Sequence, residues 1–214
     1  MTAKAVTAKA APKTATFRCF VGLPLPEDWR AALSRVAGRL AARFSSRIAW
    51  TAPGNWHITL QFLGEVECVR LPEISAALRG IVFPPMNLRL GGAGVFSASG
   101  PMRAPRTLWA ALAQGDEAVT GLAALVEAAL VPCGFAAGGR GFRPHVTIGR
   151  VKAAAVGEDW GLVERELGAE VFAPARVEEI VLWRSILGPG EPKYVALDCF
   201  PAREQGAGSA GGTA

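Results

Sequence analysis

Along this chain the apolar positions alternate between a spacing of two and a spacing of three to four, and each change marks a new element. The stretch FRCFVGL, with Phe17, Cys19 and Val21 on one face, predicts a short strand. LPEDWRAALSRVAGRLAARF follows, with Pro26 and two acids ahead of helically spaced apolar residues, and predicts a helix. In RIAWTAPGNWHITLQFLGEV, the turn formers Pro53, Gly54 and Asn55 separate two short extended runs. A second helix is predicted over Leu71 to Arg79, with Pro72 in its first turn and Gly80 just past its end.

Strands are predicted at Met86 to Leu90 and Arg106 to Leu112, with the glycine-rich GGAGVFSASGPM read as the loop between them. GDEAVTGLAALVEAALVPCGF reads as a helix stopped by Pro132 and Gly134, and the loop AAGGRGFRP leads into the strand HVTIGRV. A helix near Asp159 to Leu167 and two last strands, ARVEEIVLWRS and EPKYVALDCF, complete a mixed α+β chain. Both halves hold helices and strands, and this order hints at a duplication. Residues 1–15 and 202–214 lack apolar periodicity and read as flexible tails, which leaves one folded region over 16–201.

Half of the 214 residues are hydrophobic, enough for a substantial core and against disorder of the whole chain. No apolar run is long enough to span a bilayer and the N-terminus does not resemble a secretory signal, so the expected compartment is the cytoplasm. Cys19, Cys68, Cys133 and Cys199 are scattered singly, away from both histidines. They suggest neither a zinc site nor a disulfide framework and read as buried thiols. The net charge of +5 weakens once it is located, since Lys4, Lys9 and Lys13 in the N-terminal tail supply +3 of it. Local clusters of cations therefore matter more than the global balance.

The chemistry gathers at the two histidines of the chain, His57 in NWHITLQF and His145 in RPHVTIGR. Each stands two residues before a threonine. Strict alternation along a strand places His57, Thr59 and Gln61 on one face and Ile58, Leu60 and Phe62 on the other. It likewise places His145 with Thr147, opposite Val146 and Ile148. Histidine titrates near neutral pH, so a facing pair supplies an acid and a base in one turnover. One imidazole takes a proton from water while the other gives one to a departing oxygen, which suits in-line displacement at phosphorus with no metal and no cofactor. Thr59 and Thr147 would donate to phosphate oxygens. Arg140, Arg143 and Arg150 lie within five residues of His145, with Arg143 and Arg150 the better candidates for phosphate contacts. Trp50, Trp56, Trp109 and Trp183 could stack on a base, but packing is the simpler role for each.

HITLQFLGEV and PHVTIGRV resemble the two signature motifs of the 2H phosphoesterase superfamily, in particular the RNA 2′,3′-cyclic phosphodiesterases once described as RNA 2′–5′ ligases. FRCFVGLPLP resembles that family's opening strand and SILGPGEPKYVALDCF its closing segment, so the likeness spans nearly all of residues 16–200. The resemblance implies an α+β fold of two pseudo-symmetric lobes, with antiparallel sheets around a central cleft, helices outside and one motif from each lobe. It implies metal-independent opening of a terminal 2′,3′-cyclic phosphate to a 2′-phosphate, on RNA 3′ ends or small cyclic-phosphate nucleotides; separately, a monomer is expected. His57 would be the proton donor to the leaving 3′-oxygen, His145 the base, and Thr59, Thr147, Arg150 and Arg143 the phosphate-binding set. The halves differ at one place, Phe62 standing where the second copy has Arg150. Trp56 departs from the aliphatic residue the pattern expects. Pseudo-symmetry leaves the acid and base roles interchangeable on sequence alone. Other readings are ADP-ribose 1″,2″-cyclic phosphate as substrate, an RNA-end binding module without turnover, and, last, a structural or adaptor protein.

Overall fold

Helix α1 (Glu27–Arg43) turns its apolar stripe of Trp29, Ala32, Leu33, Val36 and Leu40 inward, with Glu27 and Asp28 against the positive end of its dipole and Arg43 at the negative end. In this computed structural model, which describes residues 15–98, 104–136, 141–189 and 191–204, the same logic forms α2 (Leu71–Arg79), α3 (Asp116–Leu130) and α4 (Leu162–Gly168). Gly115 opens α3 at φ +88°, and a Cβ there would lie 2.3 Å from Leu88. The tails expected at 1–15 and 202–214 fall almost wholly outside the described residues.

Among the described residues nine strands, β1 (Thr16–Pro24), β2 (Arg47–Trp50), β3 (His57–Glu67), β4 (Met86–Ser97), β5 (Pro105–Gln114), β6 (His145–Ala153), β7 (Ala175–Val177), β8 (Glu179–Ile186) and β9 (Lys193–Pro201), join with every pairing antiparallel. Their order is β7-β4-β5-β6-β3-β1-β8-β9, with β2 added alongside β6. This order reads the same from its centre outward. β6 corresponds to β3, β5 to β1, β4 to β8 and β7 to β9. The centre is a single pair, Ile58 opposite Val146, which follow His57 and His145 directly. The lobes are therefore related by a pseudo-dyad through the two motifs, as the resemblance implies, and the halves exchange parts. Strand β4 of the first half pairs with β5, and β8 of the second half pairs with β1. The helices α1 and α4 pack together behind one lobe and α2 and α3 behind the other. Arg35, Arg39 and Arg43 of α1 pair with Glu166 and Glu170 in and beyond α4, and the Trp29 indole donates to the Ala173 carbonyl at 2.8 Å.

Three sequence expectations change. The glycine-rich stretch after Leu90 is strand rather than loop through Ser97, because Gly91 and Gly94 clear space for β5: a Cβ on Gly94 would meet the Trp109 ring at 2.6 Å. The single strand expected over 175–185 is two, since β7 pairs with β4 and β8 with β1 and β9. Among the cysteines, all free, Cys19 and Cys133 are buried, but Cys68 is half-buried and Cys199 exposed. Cys199 lies on β9, an edge strand covered on one side only. No helix among the described residues is long and apolar enough to cross a membrane.

Candidate active site

Strands β3 and β6 carry the motifs antiparallel at the middle of the sheet, so pairing Ile58 with Val146 sets His57 beside Thr147 and Thr59 beside His145 on the opposite face. Behind them Ile58, Leu60, Val146 and Ile148 fill the core at 3% exposure or less. The polar front and apolar back expected of each motif are both present up to the fourth residue.

Beyond it alternation fails, in the same way in both copies. Against β1, Gln61 faces Val21 and Thr59 faces Gly22, so Leu60 has no partner; against β5, Gly149 faces Leu108 and Thr147 faces Trp109, so Ile148 has none. Each is a β-bulge three residues after the histidine, and a bulge exchanges the faces of everything that follows. Gln61, expected beside Thr59, is instead 8% exposed and donates to the Ala136 carbonyl at 3.3 Å. Phe62, expected on the buried face, is 66% exposed. On β6 the inserted residue turns Gly149 inward against Ile48 and brings Arg150 round to the front. Strict alternation would have hidden Arg150 behind the sheet.

The histidines are held alike. His57 donates from Nδ1 to the Asn55 carbonyl at 2.7 Å, and His145 from Nδ1 to the Arg143 carbonyl at 2.9 Å. A carbonyl only accepts, so each neutral ring carries its proton on Nδ1 and leaves Nε2 bare. The His57 Nε2 accepts from the Thr59 hydroxyl at 2.9 Å. Desolvation lowers the His57 pKa from 6.5 to about 4, aided by His145 and Arg150 and opposed by the Asn55 carbonyl. Burial and the Arg150 charge also lower His145, against the pull of the Arg143 carbonyl.

The aromatic surroundings differ. Phe20 underlies His57 at 4.6 Å between centroids, and Tyr194 meets His57 edge-on at 5.2 Å. Phe96 and Trp109 flank His145 at 5.1 and 6.3 Å.

A cleft of about 570 Å³ opens beside the motifs, lined by His57 and Thr147 with Arg150, Lys152, Asn55, Trp50, Tyr194 and the turn at Pro189 and Pro192. Arg150 sits in its wall, 3.5 Å from the Thr107 hydroxyl. Arg143 is exposed, its guanidinium 5.7 Å above the Trp109 ring, so here its carbonyl rather than its charge serves His145. Arg140 lies outside the described residues. Of the tryptophans, Trp56 and Trp109 are buried, whereas Trp50 reaches the cleft. Sequence reasoning passed over Tyr194, Asn55 and Lys152. Tyr194 is the single tyrosine of the chain, and its rarity was the available signal. Among the described residues no cluster of three His, Cys, Asp or Glu side chains gathers here.

Known proteins resemble this chain over most of its length. An RNA 2′,3′-cyclic phosphodiesterase of Archaeoglobus fulgidus is 31% identical over 86% of this chain and 99% of its own length. One from Geobacillus stearothermophilus is also 31% identical, over 85% of this chain, which spans only 56% of that longer relative. Among solved structures, TT0787 of Thermus thermophilus superposes with a TM-score of 0.70 at 28% identity, over 87% of this chain and 98% of that one. Escherichia coli LigT complexed with 3′-AMP shares the fold, with a TM-score of 0.69 at 22% identity over 89% and 100% of the two chains. The family described as LigT like Phosphoesterase matches residues 23–109 and 112–194, one His-x-Thr motif in each segment, and the chain belongs to that family of 2H phosphoesterases.

Proposed function

We propose that this protein opens 2′,3′-cyclic phosphate at RNA ends to a 2′-phosphate, with His57 as general acid, His145 as general base and no metal ion. The observation that carries the reading is the meeting of the two motifs: a histidine from each half, anchored through Nδ1 to the carbonyl two residues before it, on the front of one sheet. The relatives named as RNA 2′,3′-cyclic phosphodiesterases support the substrate class.

The Nε2 of His145 takes a proton from water as the water oxygen bonds to phosphorus. The bond from phosphorus to O3′ breaks opposite, and His57 Nε2–H protonates that oxygen, leaving a 2′-phosphate and a free 3′-hydroxyl. Thr147 and Arg150 hold the non-bridging oxygens from the cleft wall. In the free protein His57 is neutral and its Nε2 is occupied by the Thr59 hydroxyl. The phosphate anion reverses this. By restoring a counter-charge it favours the imidazolium, whose Nε2–H then faces the leaving O3′, while the Thr59 hydroxyl, released from Nε2, donates to a phosphate oxygen. Phosphate binding and acid formation are thereby the same event.

The test is incubation of the protein with a short RNA ending in 2′,3′-cyclic phosphate, with EDTA present, and separation of the 2′- and 3′-phosphate products. A 2′-phosphate product lost in both His57→Ala and His145→Ala is expected. Full activity in either variant refutes the paired-histidine mechanism. Tight binding without turnover by the unaltered protein replaces it with an RNA-end binding module.

A further inference from the structure

The pseudo-dyad gives the histidine pair two flanks, and they are chemically unlike. One flank follows Thr147 along β6 to Arg150 and Lys152 and is the cleft already described. The other follows Thr59 along β3 to Phe62, alongside the residues that precede His145 on the antiparallel neighbour. Arg150 and Phe62 are equivalent positions, each exposed by the bulge after its own motif. Each has its opposite number on the next strand, Thr107 facing Arg150 and Phe20 facing Phe62. The fold therefore turns Phe62 to the front of the sheet, the face that carries the histidines, as it turns Arg150.

Among the described residues, an exposed phenylalanine at that place has no partner that accounts for it. Phe62 rests on one aromatic only, the buried Phe20 at 6.1 Å between centroids, and the rest of its ring meets solvent. Two exposed cations flank the area. Arg18 lies on β1 two residues before Phe20, and Arg143 precedes His145. Among the described residues neither is ion-paired; the nearby Glu65, which faces Arg18 across the strand pair, accepts from the Thr16 hydroxyl at 3.4 Å. An exposed aromatic ring on a surface that also carries two guanidinium groups, neither paired with a carboxylate among the described residues, is what a single-stranded nucleic acid requires, a platform for a base and counter-charges for its backbone.

Resting on the function proposed above, we infer that Phe62 is a stacking platform for a second nucleotide, so that the preferred substrate is an RNA strand bound across both flanks rather than a lone cyclic nucleotide. The occupant is single-stranded RNA because the ring is isolated and flanked by cations. A protein partner would need a broader apolar patch than one side chain offers.

The experiment compares kcat/KM for a ten-nucleotide RNA ending in 2′,3′-cyclic phosphate with that for cytidine 2′,3′-cyclic phosphate, in the unaltered protein, Phe62→Ala and Phe62→Trp. Loss of one base stack lowers the ratio of RNA to mononucleotide about tenfold in Phe62→Ala, through KM for the RNA, and Phe62→Trp restores it. An unchanged ratio overturns the inference, as does an equal loss on both substrates, which would make Phe62 merely a support for Phe20 and His57. Should the unaltered protein turn over neither substrate, the functional proposal fails, and the platform is then judged by binding. Affinity for a fluorescent ten-nucleotide RNA with a 3′-phosphate must fall about tenfold in Phe62→Ala, and equal affinities refute it.

Discussion

Titration of the two histidines tests the site most directly, because their environment predicts behaviour far from that of a free imidazole. Burial and Arg150 hold His57 at about 4 against 6.5 for the free side chain, and hold His145 below 6.5 as well. At pH 7 an unperturbed histidine is about one quarter protonated, whereas a group at about 4 carries a proton in roughly one molecule in a thousand. The sign for stability follows from the depressed folded-state value. The neutral ring favours the fold, so its contribution is complete above pH 6.5, declines as pH falls towards 4, and amounts to about 3 kcal/mol for His57 at the upper end of what such a shift implies. With two histidines in the chain, the imidazole Cε1–H resonances are two and separately readable by NMR. In the free protein both midpoints should lie below 6.5, with one near 4. Saturating inorganic phosphate should raise both, and the optimum of kcat/KM, which reports the free enzyme, should lie on the acid side of 6.5 and below the optimum of kcat. A midpoint at or above 6.5 for His57 in the free protein would refute the argument that the site waits for phosphate to form its acid.

Other consequences are accessible to simple measurements. Arg150→Ala should raise both histidine midpoints, since its charge lowers each, and weaken phosphate-ended ligands about tenfold to a hundredfold by loss of a charge-assisted hydrogen bond, read by NMR and calorimetry. Gly22→Ala should cost about 1–3 kcal/mol in denaturant unfolding and impair turnover, because its Cβ would stand 2.4 Å from the Ile58 carbonyl and push β1 away from Thr59. Gly38→Ala is its control: in α1, with nothing within 4 Å, it should stabilise by about 0.5–1 kcal/mol and leave activity intact.

How much of this was legible in the sequence depends on how local the cause is. Helix α2 runs from Leu71 to Arg79 as expected, because Pro72 and Gly80 punctuate it from within the segment. The paired histidines and their threonines were likewise visible, since two residues of strand suffice to put His57 with Thr59 and His145 with Thr147. The glycines of β4 read as a loop because their cause, the Trp109 ring, lies on another strand. The division between β7 and β8 was hidden for the same reason, as their partners belong to different lobes. Tyr194 reaches His57 from β9, far along the chain, and no spacing rule connects the two.

The bulges lie between these cases and explain the most. Nothing in HITLQF or HVTIGR announces that Leu60 or Ile148 will lack a partner, yet both copies slip at the same residue. The coincidence has a mechanical reason. A strand edge that is regular up to the threonine gives only two front-facing groups from each motif, and the next front position would lie two residues further along. The slip turns the fifth residue after each histidine to the front instead, bringing Arg150 into the cleft wall and leaving Phe62 exposed. The fold thus makes two equivalent front-facing positions, and the sequence then fills them differently, with a cation on one flank and an aromatic ring on the other. Under the proposed mechanism the bound phosphate ester already distinguishes the two histidines, and the unequal flanks then fix which way round it binds.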